Sequence, residues 1–161
     1  MILFKLFYHI FSFIKIMMFK MTYGNRAGLP IKTQFRAGFH LVIEGRGFVK
    51  IGKDVFFNNY CTIASRAGIT IGDGTIFGEN VKIYDHNHQY RDANKSIKNQ
   101  GYKSAPINIG SHCWIGSNVV ILKGVQIGDN CVIGAGCVVA KSIREGSVIV
   151  NNQNHLYLSS L

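Results

Sequence analysis

Acidic residues are missing from the first quarter of this 161-residue chain. Residues 1–43 hold six basic residues, Lys5, Lys15, Lys20, Arg26, Lys32 and Arg36, and the first acid is Glu44. Charge of either sign is sparse, at 16% of residues. Yet 18 Lys and Arg face 8 Asp and Glu, for a formal net charge of +10. That balance calls for an anionic partner: nucleic acid, a membrane surface or a phosphorylated ligand. Four cysteines are too few for a disulfide scaffold. No C-x-x-C pair exists, which argues against a zinc ribbon and a thioredoxin-type motif. No uncharged run reaches the roughly 20 residues that a membrane span needs. No small-residue cleavage site follows the apolar N-terminus, which argues against a signal peptide. The length fits one domain with a short appendage. An apolar content of 47% argues against a disordered or collagen-like chain.

The apolar N-terminus reads as a helix over residues 1–23. Lys5, His9, Ser12, Lys15 and Lys20 fall within an arc of roughly 140° on a helical wheel. Leu3, Leu6, Phe7, Ile10, Phe13, Ile14, Met17 and Met21 fill the rest. Such a cationic amphipathic helix can lie in a membrane interface through residues 1–22. It can equally cover an end of the domain or pack in an oligomer.

The remainder is organised by a period of six. Aliphatic or aromatic residues recur at Ile51, Phe57 and Ile63, then at Ile71, Phe77 and Ile83. They recur again at Ile109, Ile115, Ile121, Ile127, Ile133 and Val139. A small or turn-forming residue usually follows each one. Six fits neither a helix nor an ordinary amphipathic strand. It fits a triangular coil of short strands, three hexads to a turn, stacked so that the aliphatic residues pile up inside. The expected fold is therefore all-β, a left-handed parallel β-helix of about five coils over residues 24–144. The coils run roughly 31–50, 51–70, 71–108, 109–126 and 127–144, and residues 145–161 form a tail. All four cysteines occupy the small-residue slot, four after the aliphatic position, and read as reduced structural thiols.

The third coil is interrupted by a polar insertion over residues 84–106. It begins Asp85-His86-Asn87-His88, which holds the only histidine pair this close in the chain. Loops this long in a compact domain are usually functional or disordered. Histidine titrates near neutral pH and suits general-base work.

With these residues in view, residues 38–144 resemble the hexapeptide-repeat acyltransferases. The likeness is greatest to the branch of maltose, galactoside and capsular or exopolysaccharide sugar O-acetyltransferases. The carrying segments are ITIGDGTIFGENVKIYDHNH and SAPINIGSHCWIGSNVVILKGVQIGDNCVIGAGCVVAKSI. The resemblance implies a homotrimer with active sites between subunits, acetyl-CoA as acyl donor, and direct attack by a carbohydrate acceptor. It places His88 as the general base. Asn58, Asp85 and His86 fall at acceptor positions, although Asp85 can equally orient an imidazole or cap the turn. Gly78, Trp114, Ser117, Ala135 and Lys141 fall along the cofactor.

Two departures stand out. Arg66 replaces the aspartate of galactoside-type acceptor pockets, which favours an anionic or phosphate-linked acceptor. Asn151-Asn152-Gln153 replaces the family's Gly-Asn-Pro. The leading reading is an O-acetyltransferase of a cell-surface carbohydrate or its precursor, in the cytoplasm and at the inner membrane face. N-acetylation of a nucleotide-linked amino sugar, antibiotic acetylation and a non-catalytic scaffold are the alternatives. A carbonic anhydrase on this coil needs three histidine ligands. Here His112 is followed five positions later by Ser117, so no metal is expected. Nucleic-acid binding has no stacking platform or motif to support it.

Overall fold

The computed structural model describes residues 2–151. It shows helix α1, Ile2–Tyr23, followed by a parallel β-helix with three flat faces. The first face stacks the strands Ala27–Gly28, Val49–Ile51, Ile69–Ile71, Ile107–Ile109 and Gln126–Ile127. The second stacks Gln34–Phe35, Phe56–Phe57, Ile76–Phe77, Trp114–Ile115, Val132–Ile133 and Val148–Ile149. The third stacks His40–Ile43, Thr62–Ser65, Lys82–Tyr84, Val120–Leu122 and Val138–Val139. The expected left-handed prism is thus the fold. The strands run beyond the expected coils, which begin near residue 31 and end at 144. They open at Ala27, and Val148–Ile149 continues the second face where a tail was expected. Residues 152–161, which include Asn152 and Gln153, lie outside the described residues.

The hexad pattern works because alternate residues of a strand point inward, one in Phe56–Phe57 and two in Val49–Ile51. Phe35, Phe57 and Phe77 stack through the interior at centroid distances of 5.5 and 4.5 Å. Ile115 and Ile133 continue that row, fully buried. The small slot has its own logic. Thr75 Oγ1 donates to Gly110 O at 2.8 Å, and Cys113 and Cys131 Sγ donate to Gly128 O and Arg144 O at 3.2 and 3.0 Å. A short side chain with one donor there ties each coil to the next. All four cysteines are free and buried.

The two turn types at the edges are equally regular. We call the edge where the chain passes from the second face to the third the second edge. The edge where it returns from the third face to the first is the third edge. Tyr60, Asn80, Asn118 and Gly136 recur along the second edge with positive φ, the left-handed conformation that asparagine and glycine tolerate best. The insertion leaves the third edge after Tyr84 and rejoins at Ile107. Its base is an antiparallel hairpin pairing His86–His88 with Tyr102–Ser104.

Helix α1 closes the N-terminal end of the prism, but not with the face that the helical wheel favours. Its packed side carries Ser12 and Ile16, both buried, with Phe19 edge-on to Phe35 at 6.3 Å. The reason lies in the strand beneath. Gln34–Phe35 is the outermost strand of its face, so one side of its backbone has no strand partner. Ser12 Oγ accepts from Phe35 N at 2.9 Å and donates to Phe35 O at 3.1 Å. Lys15 Nζ donates to Arg36 O at 3.2 Å. The apolar face, with Phe7, Ile10, Phe13, Ile14, Met18 and Met21, is left exposed. No helix among the described residues is long and apolar enough to cross a membrane.

Candidate functional site

Asp85 is the anchor of the third edge. It is wholly buried, where a carboxylate survives only if its oxygens are satisfied. The corner Ser65–Gly68, one coil away, supplies the donors. The backbone N–H groups of Arg66, Ala67 and Gly68 reach its oxygens at 2.7–3.0 Å, and Ser65 Oγ donates at 2.8 Å. Burial alone pushes this carboxyl up. The N–H donors of Gly68, Arg66 and Ala67, with the His86 ring, outweigh it and hold it below the ordinary carboxylate range. Of the readings open for Asp85, the geometry favours the corner and the imidazole over the acceptor. With no exposed surface and its oxygens occupied, it fixes the corner and holds His86 Nδ1 at 3.0 Å.

The hairpin alternates its side chains, so His86 and His88 point to one side, together with Tyr102. Tyr102 lies 5.4 Å from the His86 ring, edge to face, and 4.4 Å from the His88 ring. The Arg66 guanidinium lies 3.9 Å from the Tyr102 centroid and pairs with Glu44. His88 itself is exposed and has no hydrogen bond or ion pair among the described residues. A chain of contacts, Glu44 to Arg66 to Tyr102 to His88, therefore orders a ring whose nitrogens stay free. Arg66 is not the free cation that the sequence reading took it for, because Glu44 neutralises it. Tyr102 and Glu44 were missed as contributors. Glu44 precedes Arg66 by one coil, which is the signal that could have found it. The partner of His88 depends on hairpin register, which the sequence pattern does not reveal.

The second edge gathers the other expected residues. Asn58, Gly78, Ser117 and Ala135 succeed one another along it, and Trp114, 56% exposed, stands on the adjoining second face. Asn58, Gly78 and Ser117 have local work within the fold. Asn58 Oδ1 accepts from Asn59 N at 2.9 Å, and Ser117 Oγ accepts from Glu79 N at 3.1 Å. A Cβ on Gly78 would stand 2.6 Å from Ser117 N. A Cβ on Gly116 would stand 2.7 Å from Ala135 N. Lys141 sits elsewhere, exposed on the third edge beyond Val138–Val139. Within one chain the structure thus unites Arg66, Asp85, His86 and His88, and separately unites Asn58, Gly78, Ser117 and Ala135. The width of the third face divides the two groups. Among the described residues no group of His, Cys, Asp and Glu could hold a metal ion. His112 has φ of 56° and serves as a turn residue.

Comparison with known proteins bears on these residues. Residues 106–141 match the family model described as bacterial transferase hexapeptide (six repeats). Nodulation protein L of Rhizobium leguminosarum bv. viciae is 41% identical over 77 residues, covering 48% of this chain and 40% of its own length. WbbJ of Escherichia coli strain K12, whose name provisionally makes it a lipopolysaccharide biosynthesis O-acetyl transferase, is 32% identical over 119 residues. That match covers 68% of this chain and 61% of WbbJ. The chain thus spans less than two thirds of either relative. The hexapeptide-repeat acetyltransferase VCA0836 of Vibrio cholerae, solved in complex with acetyl coenzyme A, superposes with a TM-score of 0.66. It shares 29% identity over 74% of this chain and 63% of that one.

Proposed function

Because the chain belongs to the hexapeptide-repeat transferase family, we propose that it is an acetyl-CoA-dependent O-acetyltransferase acting on a cell-surface carbohydrate or its precursor. The observation that carries the reading is the state of His88, an ordered imidazole with free nitrogens. Its neighbour His86 is tied to a buried carboxylate. In the proposed reaction His88 takes the proton of an acceptor hydroxyl as that oxygen attacks the thioester carbonyl carbon. The tetrahedral intermediate collapses, the C–S bond breaks, and the CoA sulfur leaves with the proton returned by the imidazolium. No acyl-enzyme is needed.

The division between the two edges supports the composite site that the resemblance implies. His88 on the third edge of one copy would meet Asn58, Gly78, Ser117, Ala135 and Trp114 on the second edge of the next. Repetition around a three-fold axis closes the ring, giving a homotrimer with three equivalent grooves. Lys141 lies on the same edge as His88 and supplies a cation for the CoA phosphates. The test is acetyl transfer by His88→Ala, with acceptors screened by mass spectrometry. We expect a loss of about 10²–10⁴-fold with acetyl-CoA binding intact. Normal transfer by the variant overturns the assignment.

The exposed face of α1 supports contact with the inner face of the cell membrane, where acetyl-CoA is available. Its apolar side chains stand in a segment with six basic and no acidic residues, which complements anionic lipid. Deleting the helix would also uncover the prism, so point changes are the better probe. Phe13→Gln with Ile14→Gln is expected to abolish sedimentation with phosphatidylglycerol vesicles without lowering the melting temperature. Unchanged sedimentation removes the membrane from the reading.

A further inference from the structure

A cavity of about 720 Å³ lies between the insertion and the fourth coil, and His88 is on its wall. That volume is in the range of small-ligand sites. Its cations are Arg91, Lys95, Lys103 and Lys123, and its only acid is Asp92. Asp92 Oδ2 is held by Lys95 Nζ at 3.1 Å, which removes both charges from play. Arg91, Lys103 and Lys123 have no ion-pair partner among the described residues. Three uncompensated cations therefore face one concave space beside the candidate base.

The fold sets these charges in place. Lys103 pairs with Asn87 in the hairpin, next to the His88–Tyr102 pair and with its side chain on the other side of the ribbon. Lys123, half-buried, stands at the foot of the hairpin on the next coil, where Tyr84 pairs with Leu122 and Gly124 N donates to Ala105 O at 3.1 Å. The segment carrying Arg91 is tied by Gln100, which accepts from Asp92 N and donates to Asp92 O and Lys95 O.

We propose that this cavity binds an anionic group of the acceptor, a phosphate or carboxylate, through Arg91, Lys103 and Lys123. The inference rests on the acetyl-transfer reading and names its substrate class. His88 is among the residues that line the cavity, so an acceptor that offers a hydroxyl to it can extend into that space. The cavity also replaces Arg66 as the source of anion selectivity, since the Arg66 charge is already paired.

The test compares the intact protein with a Lys103→Gln/Lys123→Gln variant. Calorimetry with glucose 1-phosphate, UDP-glucose, glucuronate and neutral glucose reads the cavity without any turnover. At least one anionic probe should bind the native protein at least tenfold more tightly than glucose. The variant should lose that preference, with affinity for acetyl-CoA unchanged within twofold. Weakened acetyl-CoA binding with an unchanged preference would assign the cations to the donor phosphates and overturn the proposal. So would a preference that survives in the variant, or no binding of any anionic probe. If acetyl-CoA fails to bind while the anionic sugars do, the transfer reading falls and the cavity assignment stands.

Discussion

The second and third edges of the prism are built from equivalent corners of one repeat, yet they use their residues differently. Along the second edge nearly every side chain and every missing side chain has a use within the fold. Asn58 closes its own turn, Ser117 holds Glu79 N, and Gly78 leaves room for Ser117. The third edge departs from the repeat at its third coil and sends out a hairpin. There the buried Asp85 satisfies the corner, and the imidazole of His88 is left with nothing structural to do. Regularity therefore marks where the coil is made, and the break in regularity marks where unassigned chemistry collects.

The contrast predicts that the two edges fail differently when damaged. Asp85→Ala should have the largest effect on stability. It removes a charged acceptor from three backbone donors and leaves them buried, for a loss of roughly 3–5 kcal/mol. Asp85→Asn isolates the charge. A carboxyl held below its unfolded value, near 3.9, gives stability that is fully present above that pH. This stability disappears as the pH falls through the folded value. The gap in stability between the native protein and Asp85→Asn should thus be constant near neutrality and narrow below about pH 4. Denaturant titrations at pH 7 and in the acid range measure it. A gap that widens in acid would contradict the anchoring role.

Gly78→Ala probes the second edge. The new Cβ meets the backbone of Ser117 and Gly116 as well as Ser117 Oγ, and a rotation of the hydroxyl cannot clear the backbone, so the coils must separate locally. Overpacking of this kind costs about 1–3 kcal/mol. Thermal melting should show it, whereas Ala135→Ser, at an outward corner, should be nearly neutral. Equal melting points for Gly78→Ala and the native protein would mean that close stacking does not set this edge.

What could be read from the sequence follows the same line. The hexads declared the prism, its core rows and the position of the insertion, because register repeats down the stack. Asp85, His86 and His88 were visible as residues, but the contacts of Asp85 and His88 were not. The burial of Asp85 depends on three N–H groups from residues 66–68, a whole coil away. Tyr102 reaches His88 only through hairpin register. The helix shows the opposite failure. Its wheel was correct, but the exposed backbone of Phe35 required a hydroxyl and drew Ser12 inward in place of the wider apolar face.

Asn58→Ala gives the smallest effect and the sharpest separation of the two edges. Its hydrogen bond to Asn59 N is local and partly buried, so the stability loss should be about 1 kcal/mol. If the second edge of one copy completes the site on the third edge of its neighbour, the KM for the acceptor should also rise about fivefold. That corresponds to about 1 kcal/mol of binding. The kcat should be nearly unchanged, since in the proposed reaction proton transfer belongs to His88. A fall in kcat with KM fixed would place Asn58 nearer the reacting atoms than the proposed trimer allows. A stability loss with both constants unchanged would make the second edge purely structural. The acceptor would then be held by the third edge alone, and Asn58 would join Gly78 as a residue kept for the turn.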